Sequence, residues 1–293
     1  MRTGSIPLAD LPGGFDLQST VESGQTFRWE REGPDPETDR AHGSDAWYAT
    51  VFDGEVVRAR RSADALEWES TTDAEPVLRA RLRLDEDLAA VREGASDDPI
   101  VRAAYERYPG MRLVDDPFFD CLVSFVCSAQ MRVERIREMQ ATLRARYGEP
   151  IEADGRTYHA FPTPAALAAA GETELRECGL GYRAPYVART AEMVASGEWT
   201  AADVRADDLE TTRERLCEFV GVGEKVADCV ALFSLGHLEA VPLDTWIRRA
   251  VREHFPACAR DDYASTSRAI REAFGPLAGY TQTYVFHYLR HAE

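Results

Sequence analysis

Among the 34 lysines and arginines of this 293-residue chain only one is a lysine, Lys225. Arginine stays protonated in a protein, whereas lysine can shed its proton and become an amine nucleophile. A chain that has dispensed with lysine elsewhere and kept one here points to a use that arginine cannot serve, such as an amine nucleophile. The ordinary alternative is a solvated lysine at a helix start, and the neighbours bear on the choice: Phe219-Val-Gly-Val-Gly-Glu-Lys-Val-Ala-Asp-Cys229. Nineteen residues after Lys225, in Val241-Pro-Leu-Asp-Thr-Trp246, Asp244 precedes an apolar-periodic stretch containing Ile247 and Val251. That placement makes Asp244 a natural helix N-cap. A carboxylate near an amine could also stabilise positive charge that develops during a reaction.

These two residues need elements to hold them. The glycines of Val220-Gly-Val-Gly-Glu-Lys225 predict a tight turn joining two helices, since glycine adopts positive φ and lets the backbone approach another group closely. Free N–H groups of the turn and of the following helix would face a phosphate. Such a grip needs no side-chain charge. Read without its neighbours, Gly-x-Gly could equally serve only to pack two helices. Cys229 lies four residues beyond Lys225 on the same helix face and could exchange a proton with it. An ordinary lysine amine, with pKa near 10.4, is neutral in only about four molecules per ten thousand at pH 7. An amine nucleophile therefore needs desolvation or a base to deprotonate it.

The chain reads as α+β. An N-terminal antiparallel β-sheet domain with helices covers residues 1–110, and an all-helical domain covers 111–293, the junction falling near Tyr108-Pro-Gly-Met111. Phe15-Asp-Leu-Gln-Ser-Thr-Val21 alternates as a strand would, and Thr26-Phe-Arg-Trp29 could continue the sheet. Ala46 to Arg58 forms two β-rich runs joined at Asp53-Gly54, a strong hairpin signal. Between them, Glu30 to Asp45 is acidic and rich in Gly and Pro, which predicts a loop. Short helices follow at 74–83, 86–93 and 98–107. Helices are expected from there on at 118–130, 132–147, 163–169, 183–196, 206–218, 224–235, 244–254, 265–274 and 278–290.

Composition sets the outer limits. No run of about 18 apolar residues is present, and Met1-Arg-Thr-Gly-Ser lacks the apolar stretch of a signal peptide, so a soluble, intracellular, cytoplasmic protein is expected, without membrane contact. Six cysteines without a C-x-x-C pair read as reduced, mostly buried thiols. None follows Cys258, which excludes a four-cysteine iron–sulfur loop beyond it. Net charge is −17, and the sequence pI is near 4.9. Abundant Asp and Glu with almost no lysine resemble a salt-adapted protein. An acidic chain is ordinarily a poor nucleic-acid partner, but at molar salt the Debye length falls to about 3 Å and long-range repulsion fades.

Hairpin, lysine and Val-Pro-x-Asp together resemble the helix-hairpin-helix DNA glycosylase superfamily. The resemblance extends over roughly residues 15–290. Ser23-Gly-Gln-Thr-Phe-Arg-Trp29, Ser124-Phe-Val-Cys-Ser128, Thr157-Tyr-His-Ala-Phe-Pro162, Gly179-Leu-Gly-Tyr-Arg183, Lys225-Val-Ala-Asp-Cys229 and Gln282 to Phe286 fall in the order of its 8-oxoguanine DNA glycosylase/AP lyase branch. That resemblance implies an N-terminal sheet domain followed by the helical glycosylase domain. It also implies excision of 8-oxoguanine opposite cytosine from double-stranded DNA and strand nicking through a Lys225 Schiff base, with Asp244 as the catalytic carboxylate.

The remaining site residues follow from the same resemblance. Phe286 would stack on the flipped base, Cys229 would approach its other face, and Gln282 would bond its Watson–Crick edge. The Gly24 carbonyl would accept the N7–H that 8-oxoguanine has and guanine lacks. Tyr182 would fill the gap in the duplex, Arg183 and Arg135 would bond the orphaned cytosine, and Gly221 and Gly223 would grip a phosphate. The chain departs from the branch in two places. Gln130 stands where an asparagine is expected, and Trp246 where a phosphate-binding histidine is common; Trp246 could donate its indole N–H or simply be core. No cofactor is required for catalysis. A monovalent cation, K⁺ or Na⁺, is implied at the backbone carbonyls of Cys217, Phe219 and Val222. A monomer is expected. Two other readings stay open: a glycosylase for another lesion or mainly an AP lyase, and a non-catalytic DNA-damage-binding module.

Overall fold

The computed structural model describes residues 1–33, 43–129 and 131–292. The hairpin signal at Asp53-Gly54 is borne out: β3 (Trp47–Phe52) and β4 (Glu55–Arg61) pair antiparallel across a turn in which both residues have positive φ, 51° and 80°. That is the twist two-residue hairpins require. They form the centre of a five-stranded antiparallel sheet, ordered β1-β5-β4-β3-β2, with β1 at Arg2–Pro7, β2 at Glu30–Glu32 and β5 at Ala65–Ser70. A second hairpin, β6 (Pro150–Ala153) with β7 (Arg156–His159), turns on Asp154-Gly155, again with positive φ at both residues.

Phe15 to Val21 is not a strand. The Asp16 carboxylate accepts from Ser19 N–H at 2.8 Å and starts α1 (Leu17–Glu22). The cap overrides the alternation, because it satisfies a helix-start donor that a strand would leave open. Thr26 to Trp29 is outside any ladder, and the sheet resumes only at β2. Of the loop expected at Glu30 to Asp45, residues 34–42 lie outside the described residues, as does Gln130.

The short helices of the first half appear as α2 (Glu75–Arg81), α3 (Leu88–Glu93) and α4 (Pro99–Arg107). From there the chain is helical apart from the β6–β7 hairpin, as expected: α5 (Phe118–Cys127), α6 (Val133–Tyr147), α7 (Pro164–Leu175), α8 (Ala184–Ala195), the brief α9 (Ala201–Val204), α10 (Leu209–Leu216), α11 (Glu224–Ser234), α12 (Thr245–His254), α13 (Tyr263–Phe274) and α14 (Ala278–Ala292). Helix α11 packs on α5 and α14 on α4, so one apolar core runs from Ile6 to Val285. Among the described residues no helix is long and apolar enough to cross a membrane.

Arg112 joins the two halves. Its side chain is wholly buried and donates to the carbonyls of Pro12 (2.7 Å), Arg83 (2.8 Å) and Glu86 (2.8 Å). Each of those backbone oxygens also accepts a backbone N–H, from Leu88, Glu86 and Leu88 respectively, so the guanidinium takes up their second lone pairs.

Candidate active site

Lys225 occupies the first turn of α11, and the local sequence explains why. Helix α10 ends at Leu216, and Gly221, at φ +85°, reverses the chain. A Cβ at Gly221 would come within 2.6 Å of the Tyr186 ring of α8, so no other residue fits there. Gly223, the N-cap of α11, has nothing within 4 Å of where a Cβ would stand. Its surface is open to an approaching group. The first-turn N–H groups of α11, like those of any helix start, have no intrahelical acceptor.

The Lys225 Nζ donates to Ser128 Oγ at 3.3 Å and lies 5.2 Å from the centre of the Phe125 ring. Phe125 in turn stacks on Phe233 at 5.6 Å. Asp244 is the N-cap of α12, as its position suggests, with Oδ1 accepting from Ile247 N–H at 2.8 Å. Burial pushes the Asp244 carboxyl above its ordinary pKa; the helix N–H groups and Lys225 act the other way. The cap fixes one oxygen of a carboxylate that also lines the cavity shared with Lys225.

One cavity collects the residues that the sequence singled out from distant segments. Lys225, Asp244, Gly24, Cys229, Gln282 and Phe286 all line it, together with Ser23, Gln25, Phe125, Phe233, Pro242 and Thr283. Gln282 and Phe286 sit one turn apart on α14 and so share a face. The Gln282 amide is oriented at both ends: its NH₂ reaches Pro242 O at 3.5 Å, and its carbonyl accepts from Thr283 Oγ1 at 3.2 Å.

Gly24 has φ +93°, and a Cβ there would meet Arg290 Nη1 at 3.1 Å and Phe286 Cε1 at 3.4 Å. Its neighbour Gln25 holds the turn in place. The Gln25 side chain donates to Thr20 O and Arg112 O, both at 2.8 Å, and accepts from Val114 N–H at 2.9 Å. The N-terminal turn is thereby fastened to the segment leading into α5. Burial pushes the Cys229 thiol up to about 11, with Lys225 partly opposing. A thiol that keeps its proton at neutral pH is a poor partner for the proton exchange with Lys225 that the spacing suggested.

Outside the cavity the residues separate by exposure. Tyr182 is half exposed, at 49%. Arg135 is exposed on α6, pairs with Glu138 at 2.7 Å, and lies close over Gly179. Arg183 is buried, donates to the Ala129 carbonyl and lies over the Tyr182 ring at 4.2 Å. Trp246 is partly buried in the first turn of α12. Phe125, Phe233, Ser128 and Thr283 were given no role by sequence reasoning. Their only signal is adjacency to a motif residue, as Phe125 and Ser128 fall in Ser124-Phe-Val-Cys-Ser128. Phe233 carries no such signal, since an aromatic at helical spacing is ordinarily core.

Within the hairpin, Phe219 O accepts from Val222 N–H at 3.0 Å, and the C-cap of α10 is Cys217. Backbone carbonyl oxygens are hard donors, the type suited to a hard cation. All six cysteines are free thiols, five of them buried and Cys217 exposed.

Comparison with known proteins places this geometry among base-excision enzymes. Residues 123–276 match the model of HhH-GPD superfamily base excision DNA repair proteins, and residues 9–122 match that of the 8-oxoguanine DNA glycosylase N-terminal domain. A probable N-glycosylase/DNA lyase of Methanothermobacter thermautotrophicus is 30% identical over 95% of this chain and 94% of its own length. The Clostridium acetobutylicum 8-oxoguanine glycosylase/lyase, solved with double-stranded DNA containing cytosine opposite 8-oxoguanine, superposes with a TM-score of 0.85. It is 26% identical and covers 99% of this chain and 98% of its own. MBOgg1, solved with a low-affinity DNA ligand, gives a TM-score of 0.86 at 29% identity, covering 100% of this chain and 99% of that one.

Proposed function

Because the chain belongs to the 8-oxoguanine DNA glycosylase/AP lyases of the HhH-GPD superfamily of base-excision repair proteins, we propose that Lys225 is its amine nucleophile and Asp244 its catalytic carboxylate. The observation that carries this reading is the shared cavity: the single lysine and a buried-side aspartate face one space with Gly24, Gln282 and Phe286. The substrate is an 8-oxoguanine nucleotide paired with cytosine in duplex DNA. The base must leave the stack to be reached, at a cost of a few kcal/mol.

Free volume in the cavity is about 40 Å³, room for roughly three waters. A purine therefore enters only as lining side chains move aside. Phe286 then stacks on one face of the base, Cys229 contacts the other, and Gln282 bonds its Watson–Crick edge. The Gly24 carbonyl accepts the N7–H of 8-oxoguanine. Guanine presents a lone pair at N7, and two facing acceptors cost about 1–3 kcal/mol.

The reaction uses the two polar groups in turn. The C1′–N9 bond breaks, its electron pair leaving with the base, while the Asp244 carboxylate stabilises the positive charge on the sugar. The Lys225 amine gives its lone pair to C1′; the sugar's C1′–O4′ bond then breaks, O4′ taking one proton from the nitrogen, which leaves a protonated imine. Loss of a C2′ proton then drives β-elimination, which breaks the C3′–O3′ bond and nicks the strand. Around the site, Tyr182 fills the space left by the base. Arg135 and Arg183 bond the orphaned cytosine, Arg183 exchanging its Ala129 contact for the base. Gly221, Gly223 and the Trp246 N–H hold phosphates, and Gln130 would replace the asparagine that probes the estranged cytosine.

A K⁺ or Na⁺ ion would be held by the carbonyls of Cys217, Phe219 and Val222 and would stiffen the hairpin. The protein acts as a monomer, and its acidic surface suits work in high salt. Borohydride should trap a covalent adduct with an 8-oxoguanine duplex in molar salt, and Lys225→Gln should abolish it. Comparing the four opposite bases tests the cytosine preference. An adduct on abasic duplex but none on 8-oxoguanine duplex would mean that the protein is mainly an AP lyase.

A further inference from the structure

The catalytic reading brings Lys225 and Asp244 together but leaves open what sets their separation, since they lie on different elements. Behind the cavity is a buried polar network that the reaction does not use. Asp228, on α11 one turn beyond Lys225, is wholly buried. Arg213 of α10 holds it with two hydrogen bonds, Nε to Oδ1 at 2.8 Å and Nη2 to Oδ2 at 3.3 Å. The Tyr263 hydroxyl of α13 donates to Asp228 Oδ2 at 2.8 Å. The Tyr263 hydroxyl oxygen in turn accepts from the backbone N–H of Leu243, the residue before Asp244, at 3.1 Å.

The other backbone polar group of Leu243 is also held, its carbonyl accepting from Arg248 Nε at 3.2 Å. The guanidinium groups of Arg213 and Arg248 both lie over the Tyr263 ring, at 5.8 and 5.4 Å. A buried ion pair is weak evidence of stability, because desolvation offsets or exceeds the attraction. A network this costly is better explained by what it fixes. It fixes the nucleophile's helix to the loop that carries the carboxylate. Burial, with Asp228 beside it, pushes the Tyr263 hydroxyl well above its usual range, which keeps the proton it donates.

We propose that Tyr263 is a positioning residue for excision: its hydroxyl, bridging the Asp228 carboxylate and the Leu243 N–H, sets the placement of Asp244 relative to Lys225. The proposal rests on the assignment of those two residues as the reacting pair. Tyr263→Phe keeps the ring and removes only the bridge. Displacement of a reacting group by about 1 Å costs up to about a hundredfold in rate.

Three quantities are measured for Tyr263→Phe: single-turnover release of 8-oxoguanine at saturating enzyme, affinity for an uncleavable abasic duplex, and Tm. Tyr280→Phe is the control, since it removes another buried phenol, one that bonds Glu86 away from the cavity. The expected result is a rate at least tenfold lower for Tyr263→Phe, affinity within twofold of wild type, and a Tm no lower than that of the control. A wild-type rate, or a loss no larger than the control's, overturns the proposal. If Tyr263→Phe does not fold, Arg248→Gln decides. That residue is exposed, and its loss frees the Leu243 carbonyl. A severalfold slower rate at unchanged affinity supports the clamp, and a wild-type rate overturns it. Asp244→Asn separates the two levels: full activity there refutes the reacting pair itself, whereas an inactive Asp244→Asn beside a normal Tyr263→Phe refutes only the clamp.

Discussion

The Lys225 amine donates to the Ser128 hydroxyl at 3.3 Å, tying the first turn of α11 to the C-cap of α5. Arginine at 225 would keep the cation and a donor for Ser128, but it has no amine that can add to C1′. Lys225→Arg is therefore expected to melt within a few degrees of wild type and to bind abasic duplex. Borohydride should trap none of it. A trapped adduct on this variant would assign the imine to another group, such as the N-terminal amine.

Asp244 carries a conflict between stability and function that can be measured. Its folded-state pKa is raised by burial above the ordinary 3.8. A carboxyl raised in this way favours the fold most when protonated. That contribution is complete below the unfolded value and is lost as pH rises through the folded value. Asn caps a helix about as well as Asp. Asp244→Asn should then melt at or above the wild-type temperature at pH 7, while excision falls by about a hundredfold or more. The wild-type rate should show an acid limb centred above pH 3.8, and calorimetry with single-turnover assays across pH 4–8 would test both statements.

A methyl group at Gly24 would be crowded, and its backbone strained. At φ +93°, with Arg290 Nη1 only 3.1 Å from the added carbon, Gly24→Ala should cost on the order of 1 kcal/mol or more. Because the same carbonyl is proposed to read N7–H, release of 8-oxoguanine should fall further than the folded fraction does. Equal losses of both would make Gly24 a structural glycine only.

Glu224 places a negative side chain in the first turn of α11, beside the proposed phosphate grip. A carboxylate there helps the helix itself but repels an incoming phosphate. Glu224→Gln should bind duplex DNA severalfold more tightly at low salt and converge with wild type at molar salt, where screening acts within about 3 Å. Binding isotherms over a salt series test this, and parallel lines throughout would rule Glu224 out of the interface.

Much of the α half was legible because its signals are local. Aspartate and proline at helix starts, glycine at turns and apolar periodicity placed most helices to within a few residues. The β half was less so. β1 contains Gly4 and Pro7, both poor strand formers, and pairs with β5 across the full width of the sequence domain, Arg2 against Ser70. β5 alternates buried and partly buried residues and could have been found. At Phe15 to Val21 the Asp16 cap and an alternating pattern competed, and the cap prevailed. The Asp154-Gly155 turn passed unnoticed because its strands are only four residues each.

The sequence by itself determined which groups could react: a solitary lysine behind a glycine turn, and an aspartate after a proline. Residue type and spacing of that kind fix local chemistry and local backbone, and both survive in the folded chain. Only the tertiary structure decided what surrounds them. Phe233 became a cavity wall, Arg183 turned inward to Ala129, and Tyr263 came to bridge Asp228 and Leu243. These relationships join segments far apart in the chain, where no periodicity links them and only the packing of the whole core sets their geometry.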